Sequence, residues 1–168
     1  MTHLLRISTL PALAALFAFA PLRDHPDAPD GSGRTAAGQS DSDSSKAIAR
    51  RWFDEVINQR DLDALPDIYG SDYVWHGPEG QEIHGLDEVR EFAAAILAAS
   101  DDRRAIVHQQ VAEGDLVVTR FTSSGHHTGV YQGVQPTGKI WRTEGIVISR
   151  IVDGKIAEDW EVTHMSGM

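Results

Sequence analysis

The chain has 168 residues, an apolar fraction of 41 % and a formal net charge of −10. One domain's length with that apolar content allows a packed core, and so acidic a balance with no basic stripe excludes nucleic acid as an expected partner. The absence of cysteine removes disulfides, thiolate metal ligands, a cysteine nucleophile and a lipoprotein anchor.

The first predicted element is an export signal over residues 1–20. Arg6 precedes an uncharged run from Ile7 to Ala20, which closes on Ala18-Phe19-Ala20, an A-x-A-like cleavage pattern. The run is too short to span a membrane, so no stable span is expected in the mature protein. Cleavage would give a secreted or periplasmic protein; a start codon assigned too far upstream would give a cytoplasmic one. Residues 21–45 are expected to be a disordered linker, because Asp, Ser, Gly and Pro dominate and too little apolar surface is available to offset ordering entropy.

Residues 46–168 form the expected domain. Ile48, Trp52, Phe53, Val56 and Ile57 recur at helical spacing behind a candidate cap at Ser45. A shorter helix from Asp61 to Leu65 ends at Pro66. Tyr73-Val74-Trp75-His76 is a strand by residue type, stopped by Gly77-Pro78, and Glu79 to Gly85 is a polar loop. Leu86, Val89, Phe92, Ala93, Ile96 and Leu97 define the clearest helix. Beyond Arg104 the pattern turns to strands: Ala105–Ala112 and Leu116–Ser124 around Glu113-Gly114-Asp115, then Trp141–Val152 and Lys155–His164 around Asp153-Gly154. Helices followed by an antiparallel meander predict an α+β fold, a cone-shaped barrel in which a curved, mostly antiparallel sheet wraps over the N-terminal helices. The open end of such a cone leaves a cavity.

Strict alternation along the last strand places Ile156, Glu158, Trp160, Val162 and His164 on one face and Lys155, Asp159, Glu161 and Thr163 on the other. The first set is the more apolar, so His164 is expected inside, near Trp160. His76 ends the first predicted strand, facing either the pocket or solvent. His126 and His127 are adjacent and point to opposite faces, His126 being the better candidate for a solvated loop. Trp75, Phe121, Tyr131 and Trp141 are assigned to the cavity wall with Trp160, whereas Trp52, Phe53 and Phe92 are core. Glu144 is either a cavity residue or a surface partner of Arg142 or Arg120. His76, His127 and His164 lie too far apart for the usual zinc spacings, so no metal is expected. Neither a Gly-rich phosphate loop nor a G-x-S-x-G elbow is present.

Three stretches carry a family resemblance. RIVDGKIAEDWEVTHMSGM, from Arg150 to Met168, is similar to the closing hairpin of SnoaL-like ester cyclases, within the nuclear-transport-factor-2-like superfamily. GHHTGVYQGVQPTGK, from Gly125 to Lys139, resembles that family's Gly-x-His-x-Gly stretch and following Pro-Thr-Gly. SDYVWHGP, from Ser71 to Pro78, resembles its first strand. With Gly114-Asp115 the likeness covers Lys46 to Met168.

The resemblance implies a cone-shaped fold, often dimeric, and a cofactor-free ring closure of a polyketide ester by an intramolecular aldol step. An acidic residue on the last strand is the general acid/base there, and the residue resembling it here is His164. The expected function is thus a cofactor-independent cyclase or isomerase of the polyketide or ester cyclase kind. His164 would act as acid/base, with His76 and His127 orienting the substrate or stabilising an enolate oxygen. The expected partner is a small apolar carbonyl compound, and a homodimer is expected. Because His164 departs from the family's aspartate, the competing expectation is a non-catalytic small-ligand-binding module. A dehydratase or epoxide hydrolase, a third reading, belongs to the wider superfamily; the hydrolase would need carboxylates on the cavity floor, which the sequence does not place.

Overall fold

The structure is a computed structural model that describes residues 36–167. The export signal and the linker up to residue 35 lie outside the described residues.

Helix α1, Ala36–Arg51, begins well inside the segment expected to be a linker. Its first turns are supported locally: Gln39 donates to Asp43 at 3.2 Å and Lys46 pairs with Asp43 at 3.5 Å. Side chains three and four residues apart stabilise an exposed helix in this way. From Trp52 to Ile57 the helix widens into a π-helical stretch, which buries Phe53, Val56 and Ile57. Helix α2, Leu65–Ile68, is shorter and later than expected, with Pro66 in its first turn, where a missing N–H costs nothing.

Strand β1, Tyr69–His76, starts earlier than its sequence signal. The expected polar loop after it contains strand β2, Glu82–His84, paired antiparallel with β1 through Val74–His84 and His76–Glu82. Helix α3, Gly85–Ala98, ends where the Arg60 guanidinium donates to the Leu97 carbonyl at 2.8 Å, adding to the Ser100 N–H that reaches the same oxygen at 3.4 Å. Strands β3 (Arg104–Glu113), β4 (Leu116–His126), β5 (Ile140–Val152) and β6 (Lys155–Ser166) complete the chain.

The six strands form one sheet in the order β2-β1-β6-β5-β4-β3, parallel only between β1 and β6. The expected α+β architecture holds, with a curved sheet over N-terminal helices, but the sheet is not closed into a barrel. Helices and the concave face share two apolar clusters. Val56, Leu65, Ile68, Tyr69, Tyr73 and Ile156 anchor one, and Phe53, Ile57, Ile96, Leu97, Phe121 and Val147 the other.

Alternation along β6 breaks once. Ile156 pairs with Ile151, but Glu158 pairs with Arg150, so Ala157 is an extra residue on the β6 side. Such a bulge shifts every later side chain to the opposite face. Ile156 points in as expected, and beyond the bulge Asp159, Glu161 and Thr163 point in as well. Trp160, Val162 and His164 turn outward, Val162 being 68 % exposed. The inward placement of Trp160, Val162 and His164 is therefore overturned, and the bulge is the reason.

Gly77 shapes the same region. The Trp75 indole lies over it so closely that a Cβ at position 77 would collide with the ring carbons. Gly77→Ala should lower stability by about 1–3 kcal/mol, the usual cost of overpacking a tight contact. Urea unfolding would measure it, and an unchanged midpoint would mean that the indole yields freely.

Candidate functional site

The concave face and the helices enclose a chamber of about 410 Å³. Trp52, Phe53 and Phe92 reach it from the helices, and Trp75, Phe121 and Glu161 from the sheet. Aromatic and aliphatic side chains make up much of its wall, interspersed with polar ones at Gln81, Arg103, Ser123, Thr143, Glu161 and Thr163, a concave and partly apolar make-up that suits a small molecule. Deeper, a space of about 30 Å³ lies among Tyr69, Tyr73, Ser149, Ile156, Asp159 and Glu161.

Two carboxyl groups occupy the inner end. Asp159 is 5 % exposed; the Tyr73 hydroxyl donates to its Oδ2 at 2.8 Å, and Oδ1 has no partner. Burial pushes this carboxyl up to about 7, against the opposing pull of the Ser149 and Tyr73 hydroxyls. A carboxylate removed from water is costly, so the neutral form is favoured. Glu161 sits two positions along on the same face. The Trp75 indole N–H donates to its Oε2 at 2.9 Å. Glu161 lines both the chamber and the deeper space. Burial raises the Glu161 pKa, with the Trp75 hydrogen bond and the Arg103 charge pulling the other way.

Arg103 comes from the turn between α3 and β3. Its guanidinium stacks on Trp141 at 4.6 Å, its buried Nε has no acceptor, and among the described residues it makes no ion pair. Desolvation lowers its pKa to about 10, opposed by Tyr131 and Glu161, so it remains charged at neutral pH. Burial raises the Tyr131 phenol, and the Arg103 charge opposes this. Glu161, Arg103 and Tyr131 thus act on one another's charge from the walls of one chamber.

The expected wall residues Trp75, Phe121 and Tyr131 do line the chamber. Trp141 is set back beneath Arg103 and lines only a side recess of about 10 Å³, shared with Ala99, Arg103, His127, Tyr131 and Met165. His127 is 1 % exposed. The Thr137 backbone N–H donates to its Nδ1 at 3.3 Å, while Nε2 has no partner. The Gly125–Lys139 stretch carries it there by docking on α3: the N–H groups of Thr128 and Gly129 both meet the Ala99 carbonyl at 3.1 Å.

The other two expected histidines lie outside. His76 bridges Glu82 at 3.2 Å and Glu158 at 2.9 Å, stacked on Trp160 with ring centroids 5.7 Å apart. Its Glu158 partner, and then Glu82, raise its pKa. Trp160 is held between His76 and the Arg150 guanidinium, 5.0 Å from its ring. His164 lies opposite Glu144 on the outer face, beside Arg142, Ile146 and Val162. His76, Trp160 and His164 are therefore removed from the cavity set: the bulge at Ala157 turns the latter two outward, and His76 sits opposite Trp160 in the parallel register. His126 is exposed and pairs with Asp102 at 2.6 Å, and Glu144 pairs with Arg142 at 2.8 Å, both on the surface.

Glu161, Asp159, Arg103 and Tyr73 were missed from sequence. A signal existed: two acids, Asp159 and Glu161, flank Trp160 at alternate positions of the last strand. Charged residues are rarely buried, and that base rate favoured the opposite face. Among the described residues, no group of three His, Cys, Asp or Glu side chains could hold a metal ion, and no helix is long and apolar enough to cross a membrane.

An open α+β cone with a chamber walled in part by aromatic side chains, and a carboxyl group set into it, is an arrangement that suits a small molecule. The chain belongs to the SnoaL-like polyketide cyclase family, whose model matches residues 47–168. No curated protein matches the chain. Among solved structures, AclR from Streptomyces galilaeus, described as a candidate hydroxylase, is 30 % identical with a TM-score of 0.65, over 73 % of this chain and 76 % of that one. IdmH from Streptomyces antibioticus, a candidate polyketide cyclase, is 27 % identical with a TM-score of 0.62, over 71 % and 91 %. A candidate SnoaL-like polyketide cyclase from Jannaschia sp. CCS1 is 21 % identical with a TM-score of 0.68, over 73 % and 86 %, a likeness of fold.

Proposed function

We propose that the protein is a cofactor-independent cyclase or isomerase that removes a proton next to a carbonyl group, with Glu161 as the general base. The observation that supports this most directly is the Glu161 carboxyl, held at one oxygen by Trp75 in the lining of the chamber. A base of this kind works best when its pKa lies nearer the working pH than an exposed carboxyl's does, and burial moves Glu161 that way. Proton transfer to Oε1 leaves an enolate on the substrate. The Tyr131 hydroxyl, another chamber-lining group, would donate to the enolate oxygen, and the aromatic walls would exclude water and hold the reacting atoms close. His164 has no part in this scheme. The family resemblance and the candidate polyketide cyclases among the solved structures favour the same chemistry.

Proton NMR in D₂O tests the proposal. The protein should exchange the α-protons of an aryl methyl ketone such as 2-acetonaphthone, or those of its β-keto ester, faster than buffer and with saturation. Binding of these compounds without any exchange would instead support a ligand-binding module.

A further inference from the structure

Arg103 presents an unresolved charge. A partly buried guanidinium gains from a carboxylate beside it, because an uncompensated cation drawn out of water is costly. Here it has aromatic stacking on Trp141, no ion pair among the described residues, and a buried Nε–H with no acceptor. Glu161 is near enough to act on its charge but does not pair with it.

A second orphan lies beside it. His127 accepts at Nδ1 from the Thr137 N–H, so Nε2 carries the proton, and that Nε2 is buried without a partner. Arg103 and His127 both wall the side recess of about 10 Å³. That is room for about one oxygen atom. The recess shares Arg103, Tyr131 and Met165 with the main chamber. One cation and two N–H donors without acceptors therefore belong to side chains that wall the recess at the edge of the substrate space.

We propose that this corner is an anion subsite, and that the natural substrate is an acid whose carboxylate seats on Arg103 with one oxygen in the recess at His127. The inference rests on the reading of the chamber as a substrate site, and it changes the expected ligand from an apolar carbonyl compound to a carboxylated one. The two roles divide cleanly: Arg103 and His127 hold the acid group, Tyr131 takes the enolate oxygen and Glu161 takes the proton. A bound carboxylate would also cancel the Arg103 charge that pulls the Glu161 pKa down, leaving a stronger base in the complex than in the free protein.

Matched probes test it. Tryptophan fluorescence or calorimetry at pH 7 would compare 2-naphthoate with its neutral counterpart 2-acetonaphthone. The acid should bind about 10- to 100-fold tighter, as expected for a charge-assisted hydrogen bond in a dry site. Arg103→Gln should bring the acid's affinity down to about that of the ketone for the same variant, and Arg103→Lys should keep part of the preference. Glu161→Gln should retain the preference in full. Thermal melts of the variants confirm that each is folded. Equal affinities in the unaltered protein, or a preference that survives Arg103→Gln, would overturn the anion subsite. Ketone exchange by a protein with no acid preference would sink this inference alone, whereas an acid preference without exchange would sink only the acid/base reading.

Discussion

Replacing Glu161 by glutamine should lower α-proton exchange by about 10²- to 10⁴-fold, the range that a positioned general base contributes. Glutamine keeps the side-chain volume and can still accept the Trp75 N–H through its amide oxygen. Packing and ligand affinity should therefore change little, and the loss should fall on turnover rather than binding. The pH profile gives an independent check. The base must be ionised, so the rate should rise with pH through a pKa above the ordinary 4.5 of a glutamate, in the direction that burial moves Glu161. His164→Ala is the internal control: its ring is on the outer face, and turnover should be unchanged. A variant pattern with the opposite outcome, activity lost with His164 and kept without Glu161, would require β6 to pair in a different register.

That pairing register marks the limit of what could be read from sequence. The order of elements was legible because each carries its own local signal: the helical spacing of Leu86 to Leu97, the Asp153-Gly154 turn, the alternation along Trp141 to Val152. All of these elements appear, and most strands extend a residue or more beyond their predicted ends. Two misses share a cause. β2 has almost no signal of its own, since Glu82, Ile83 and His84 become a strand only by pairing with β1. The bulge at Ala157 likewise depends on how β6 meets β5, not on the residue itself. Aromatic residues of the wall could be named, because bulk apolar side chains have few other places to go. The chemistry could not: one inserted residue exchanged Trp160 and His164 for Asp159 and Glu161. The carboxylates required by the epoxide hydrolase reading are thus present at the inner end, although Asp159 lies in the space behind the main chamber.

Asp159→Asn should stabilise the protein above neutral pH and have little effect in acid. The sign follows from linkage. Burial raises the folded-state pKa from 3.8 to about 7, so between these values the folded protein holds a proton that the unfolded chain releases. Stability from this group is then fully present below about 4 and is lost as pH climbs towards 7. A shift of about 3 units at roughly 1.4 kcal/mol each makes the loss on the order of 4 kcal/mol. Asparagine stays neutral throughout. Its side-chain oxygen can accept the Tyr73 hydroxyl that now serves Oδ2, so the variant should unfold at nearly the same denaturant concentration as the parent near pH 4 and at a clearly higher one near pH 8. Glu161, whose charge also raises the Asp159 pKa, contributes a slope of the same sign in both proteins, so the difference between them is dominated by Asp159. A gap between the two unfolding curves that does not widen with pH would mean that Asp159 is ionised inside the fold, with a compensating cation or water beside Oδ1. An ionised Asp159 would in turn put two negative charges behind the chamber, and the single-base scheme centred on Glu161 would have to become a coupled pair.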